Sequence, residues 1–162
     1  MNIAVIGIGQ SLRGDDGIGP EAVRRWITEF PADTQDPRIQ TRLLETPGLG
    51  LIDYLQECDA AILVDAVSTG GSEGAVRIFE STPETMLTPA EKTAHGFGVV
   101  ETLSLARKSG IQLPSRLILI GIEGHHYELG RSLSGPVREA IPKAVEAIQE
   151  KVSQLMSTKN TR

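Results

Sequence analysis

Short apolar runs alternate with segments of helical period along almost the whole chain, and this alternation constrains the fold more than any other feature. Asn2 to Ile6 is a brief apolar run closed by Gly7, the pattern of a buried strand. Ile18, Ala22, Val23, Trp26, Ile27 and Phe30 recur at helical spacing, which predicts an amphipathic helix over 18–30. Pro20 fits its first turn, where a missing N–H costs nothing. The pattern then gives a strand over 38–45, a short helix over 49–57 and a buried strand over 60–67. A strand at 74–80, a helix at 98–108, a strand at 116–122 and a terminal helix from 135 to about 156 complete it.

Strand–helix alternation implies a mostly parallel sheet with helices on both faces. One connection breaks the rule. Residues 68–74, STGGSEG, are too few for a parallel crossover, which takes a dozen or more. The fourth strand is therefore expected antiparallel to the third, at a sheet edge. The expected fold is an α/β three-layer sandwich: five strands, one of them an antiparallel edge strand. Residues 1–156 are expected to form a single domain, with 157–162 a disordered tail.

Composition narrows the chemistry. The chain has 162 residues, one cysteine and three histidines, so neither a disulfide framework nor a cysteine-rich metal site is available. A net charge of −5 argues against a nucleic-acid binder. The opening MNIAVIGIGQ lacks a basic leader, and no apolar run reaches the roughly 18 residues that span a membrane. A cytoplasmic location is expected. Cys58 is expected to act as a small hydrophobe.

In open α/β sheets, ligands bind outside the carboxyl ends of the parallel strands. Asp15 and Asp16 follow the first strand, Asp65 ends the third, and Glu123 follows the fifth. The fourth strand ends at the opposite edge. The fourteen residues 81–94 reach at most about 46 Å, enough to return His95 to the shared edge. Topology therefore permits Asp16, Asp65 and His95 to meet. Two carboxylates and an imidazole can bind a borderline divalent cation. Alternatively, an aspartate can act as a general base toward water.

Blander roles compete for each residue. The loop GIGQSLRGDDGIG starts like a dinucleotide fingerprint, but Leu12 stands where the third glycine belongs. The acidic pair also occupies the place a phosphate would need. The glycines are better read as a tight turn that aims the acids at the cleft. One of the two aspartates is expected to cap the following helix, leaving the other for function. Asp65, within an apolar strand, needs a partner. His125 and His126 are expected to be exposed, and Arg13 either solvated or paired with the acids.

These residues carry a resemblance. GIGQSLRGDDGIG at 7–19, ETPGLGLIDYL at 45–55, ILVDAV at 62–67, TAHGFGVVETL around His95, and IGIEG at 120–124 followed by LS at 133–134 are similar, in order, to the hydrogenase maturation endopeptidases. That family trims the C-terminus of the large subunit of nickel–iron hydrogenases. The resemblance implies a five-stranded sheet between helices. It places the family's metal-binding acids on Asp16 and Asp65 and its histidine on His95. Asp16 and Asp65 also become the candidate catalytic carboxylates, and Gly48 a candidate substrate contact. Gln10 departs from the asparagine usual in the family.

By the same resemblance, the nickel is supplied by the precursor, and the enzyme cuts a few residues beyond the last metal-binding cysteine motif. The three ligands then test whether the metal is in place. A non-catalytic, nickel-dependent escort of the precursor, or a metal-dependent small-molecule hydrolase, would use the same residues. A deep enclosed pocket beside Asp16 would favour the hydrolase, and an open groove the peptidase.

Overall fold

The computed structural model describes residues 1–81 and 98–158 of the chain. Its strands are β1 (Ile3–Ile8), β2 (Ile39–Leu44), β3 (Ala60–Val67), β4 (Val76–Ser81) and β5 (Arg116–Glu123). They form one sheet in the order β2-β1-β3-β5-β4. Four strands are parallel, and β4 is the antiparallel edge strand.

The helices are α1 (Ile18–Glu29), α2 (Pro31–Thr34), α3 (Leu49–Gln56), α4 (Val99–Lys108), α5 (Gly135–Glu139) and α6 (Ile141–Ser157). A 3-10 turn, Gly14–Gly17, leads into α1.

The strands follow the two-residue period of a sheet buried on both faces. Ile3 and Val5 of β1, Ile62 and Val64 of β3, and Ile118 and Ile120 of β5 pack with Trp26 of α1 and Ile148 of α6. The alternate residues Ile6, Ile8, Ala61, Leu63 and Leu119 pack with Leu51 and Leu55 of α3 and Val99 and Leu103 of α4. Trp26 also donates its indole N–H to Gln149 Oε1 at 2.8 Å, joining α1 to α6.

The expected architecture holds, with two corrections. First, β4 runs antiparallel at the edge as expected, but its hydrogen-bonded neighbour is β5 rather than β3. The connection from β3 passes the end of β5: Gly74 N–H donates to the Glu123 carbonyl at 2.7 Å, and Glu123 N–H to the Ala75 carbonyl at 2.9 Å. These bonds start the β4–β5 ladder. Second, the terminal helix is two helices with a break at Ala140. Pro142 lacks the N–H that would bond Arg138, and its ring crowds that carbonyl. At the other end the helix includes Ser157, and Thr158 Oγ1 donates to the Gln154 carbonyl at 2.9 Å.

Candidate active site at the carboxyl edge of the sheet

β1 delivers the chain to the turn that holds Asp15 and Asp16. Gly9 sits at φ 141°, where an added Cβ would meet the Asp16 carbonyl oxygen at 1.8 Å. Only glycine lets the turn fold back this closely. A Cβ on Gly19 would lie 2.3 Å from the Val64 carbonyl oxygen and 2.4 Å from that of Ile8. The start of α1 thus rests directly on β1 and β3. These glycines serve close packing, as the fingerprint mismatch suggested.

The turn presents two buried carboxylates with different duties. Asp16 is 2% exposed, and its Oδ2 accepts the Gln10 N–H at 2.7 Å. Gln10 takes part through its backbone, so the change from asparagine leaves this bond intact. Asp15 is fully buried, but it caps nothing: neither the 3-10 turn nor α1 has a side-chain cap. This corrects the expected division of labour. Asp15 Oδ2 accepts the N–H groups of His125 and His126, each at 3.0 Å, and Oδ1 accepts that of Ser134 at 2.8 Å. Burial pushes its carboxyl upward, but bonds from the Ser134, His125 and His126 N–H groups outweigh it and leave the pKa below 3.8. Asp15 therefore ties the first loop to the loop after β5, about 110 residues away in sequence.

Asp65 lies on β3, opposite Gly121 of β5, with no exposed surface. Strand alternation puts it on the face of Ala61 and Leu63, toward α3 and α4. The Gly14–Gly17 turn packs against β3, so the element carrying Asp16 adjoins the strand carrying Asp65. His95 lies outside the described residues. The chain resumes at Gly98, which is buried and caps α4 through a bond from its N–H to Glu101 Oε2 at 2.9 Å. Among the described residues, no group of three His, Cys, Asp or Glu side chains is placed to hold a metal.

The remaining candidates are settled by their contacts. Glu123 is buried, and its carboxylate accepts the N–H groups of Thr69 and Gly70 and the Thr69 hydroxyl, shaping the turn before β4. His125 and His126 have exposed rings, and their backbone N–H groups do the structural work. Arg13 is exposed and makes no ion pair among the described residues. Gly48 precedes α3 at φ 130°, with nothing within 4 Å of where its Cβ would lie. Burial pushes the Cys58 thiol up to about 11, which removes it as a nucleophile at neutral pH.

Sequence reasoning missed Asp15's tether, because its donors are distant backbone groups with no side-chain signature. It also missed a solvent-open trough of about 400 Å³ that begins at Gly9 and Gln10. Leu12, Leu43 and Leu129 line it and are 72%, 41% and 70% exposed. Isolated exposed leucines are ordinary, but three around one groove call for an explanation.

A sequence profile of hydrogenase maturation proteases, HycI, matches residues 37–151. The chain belongs to the hydrogenase maturation protease family. It is 34% identical over 148 residues to the hydrogenase expression/formation protein HupD of Rhizobium leguminosarum, covering 89% of this chain and 70% of that one. Against HupD of Thiocapsa roseopersicina the identity is 30%, covering 94% and 68%. The fold is shared with an endopeptidase from Escherichia coli at TM-score 0.75, 25% identity, covering 95% of this chain and 93% of that one. It is also shared with HybD, a hydrogenase maturating endopeptidase of the same species, at TM-score 0.70, 23% identity and coverages of 95% and 93%. The chain is thus a protease of this maturation family, and its reaction is peptide-bond hydrolysis. Among the described residues, no helix is long and apolar enough to cross a membrane.

Proposed function

We propose that this protease removes the C-terminal extension of a nickel–iron hydrogenase large-subunit precursor in the cytoplasm, after nickel insertion. The observation that carries the reading is the pair of buried carboxylates, Asp16 at 2% exposure and Asp65 at 0%, on adjoining elements at the sheet's carboxyl edge. A cation placed between carboxylates on adjoining elements favours their charged forms and offsets the cost of burying them. Oxygen ligands with an imidazole suit a borderline divalent ion such as nickel.

In this reading the nickel belongs to the substrate. Asp16, Asp65 and His95 meet it when the precursor docks, and precursor without metal gains no hold on the acids. Hydrolysis adds a water oxygen to the scissile carbonyl carbon. The water's proton passes to an aspartate carboxylate, the C–N bond breaks, and the leaving amine takes a proton. Gln10 N–H fixes the Asp16 carboxylate for this work. Gly48, open at the start of α3, is proposed to pass close to the substrate chain. The open trough beside Gly9 and Gln10 supports an extended polypeptide over a small molecule.

The test is to mix the purified protein with nickel-loaded and nickel-free precursor and to weigh the precursor by mass spectrometry. Loss of a C-terminal fragment from the nickel-loaded form alone is the expected result. A stable complex at unchanged mass would mean an escort and would overturn the processing role.

A further inference from the structure

We propose that the trough holds the free C-terminus of the polypeptide substrate, with aliphatic side chains on Leu12, Leu43 and Leu129 and the terminal carboxylate between Arg24 and Arg138. This deepens the processing reading and rests on it.

The trough continues beyond its apolar part. A second cavity of about 360 Å³ is lined by Arg24, Arg138 and Ser132. Ser11 and Arg24 line both cavities, so the two adjoin along these residues. The first holds Gly9 and Gln10, whose N–H bonds Asp16, together with the leucines, and the second holds the Arg24 and Arg138 guanidinium groups. Each cavity has the volume of a typical ligand site, roughly 300–1,000 Å³.

The leucines stand on fixed backbone. The Gly130 N–H donates to the Leu12 carbonyl at 2.7 Å, the Gly14 N–H to that of Arg131 at 2.9 Å, and the Asp15 N–H to that of His126 at 2.7 Å. Asp15's carboxylate adds the bonds described above. Ordering the loops is thus already done before a partner arrives, which lowers the entropy lost on binding. A surface hydrophobe held this rigidly is suited to contact.

Charge selects the occupant. The chain is acidic overall, at −5, yet arginines gather around these cavities. Arg24 meets only Glu21 among the described acids, at 3.7 Å, with its side chain half exposed. Such exposed pairs are weak and easily exchanged. Arg138 donates to the Leu133 carbonyl at 3.4 Å and has no ion pair among the described residues. Arg13 and Arg131 sit on bridged backbone positions nearby. Against these stand Glu21 and Glu45 on the cavity walls, and Asp15 and Asp16 buried beneath. Guanidinium groups bind carboxylates through paired, charge-assisted bonds. A chain that enters at the acids and leaves past the leucines presents its own terminal carboxylate to the arginines. The segment beyond the cut in a C-terminal processing reaction ends in that group by definition.

The test uses a short, leucine-rich, fluorescein-labelled peptide with a free C-terminal carboxylate, and the same peptide ending in an amide. Binding to the full chain is followed by anisotropy at low salt. The acid is expected to bind about tenfold tighter than the amide, a difference of one charge-assisted contact. Replacing both arginines, Arg24→Ala with Arg138→Ala, should erase the difference and leave amide binding in place. Leu12→Asp and Leu129→Asp should weaken both peptides. Equal affinity for acid and amide, no binding of either, or indifference to these substitutions overturns the proposal. Parallel precursor-mass assays separate the two readings. Processing without acid preference removes the trough's role alone, and acid preference without processing removes the peptidase reading alone.

Discussion

The two faces of the sheet are built to different standards of closure. On one, α1 and α6 lie over Ile3, Val5, Ile62, Val64, Ile118 and Ile120, with Trp26 fully buried and bonded to Gln149. On the other, the shorter α3 and α4 cover Ile6, Ala61, Leu63 and Leu119, and the same strand row carries Asp65. The first face is apolar from strand to helix. The second carries buried carboxylates in its strand rows, Asp65 on β3 and Glu123 at the end of β5. A buried carboxylate must be matched by bonded or charged partners, so the second face asks more of its surroundings than the first. In the proposed reading, one face supplies stability and the other supplies chemistry, on the same strands.

The comparison can be broken most directly at Asp65. Asp65→Asn should lower precursor processing by about 10²–10⁴-fold while leaving thermal unfolding close to that of the wild type. Asp16→Asn should do the same, measured by the same precursor mass. Full processing by both variants would end the assignment of chemistry to this face. The converse test is Trp26→Ala, which should destabilise the fold by about 3–5 kcal/mol in urea titration, with processing per folded molecule unchanged. If activity fell as steeply as stability, the division between faces would be lost.

A smaller effect should follow Asp15→Ala, about 3 kcal/mol, because three backbone N–H groups lose their shared acceptor. Hydrogen exchange should rise first at His125, His126 and Ser134. The smallest effect concerns Cys58, half-covered beside the second face. Its raised pKa keeps it a thiol, so alkylation should be slow at pH 8 and accelerate as the pH approaches about 11. Its folded pKa exceeds the ordinary 9.0, so its contribution to stability is intact below pH 9.0 and lost as the pH rises through about 11.

Much of the molecule was legible in the residues because local rules decided it. The apolar run AAILVDAV became β3 over the predicted span, since no helical register could bury all of it. The short STGGSEG connection forced an antiparallel fourth strand. It could not say which neighbour that strand would choose, because the choice rests on Glu123 bonds formed across the chain. Pro142 was visible in sequence, yet the apolar period of Val145, Ile148 and Val152 continued past it and masked the break. Gly48 was visible as a motif residue, and its positive φ and open surroundings emerged only in three dimensions.

The acids divide along the same line. Asp15 and Asp16 are chemically identical neighbours, and helix-capping rules could assign either to the cap. The structure gives Asp15 to backbone groups of residues 125, 126 and 134, which no local rule connects to it. The sequence by itself determined the alternation, the sheet type, the edge where the acids gather and the family. Period, connection length and motif order are properties of neighbouring residues. Only the tertiary structure decided that Asp15 is a tether, that Glu123 clasps a turn, and that Leu12, Leu43 and Leu129 share one trough. Those facts depend on which distant segments come within hydrogen-bond or van der Waals reach, and folding sets that.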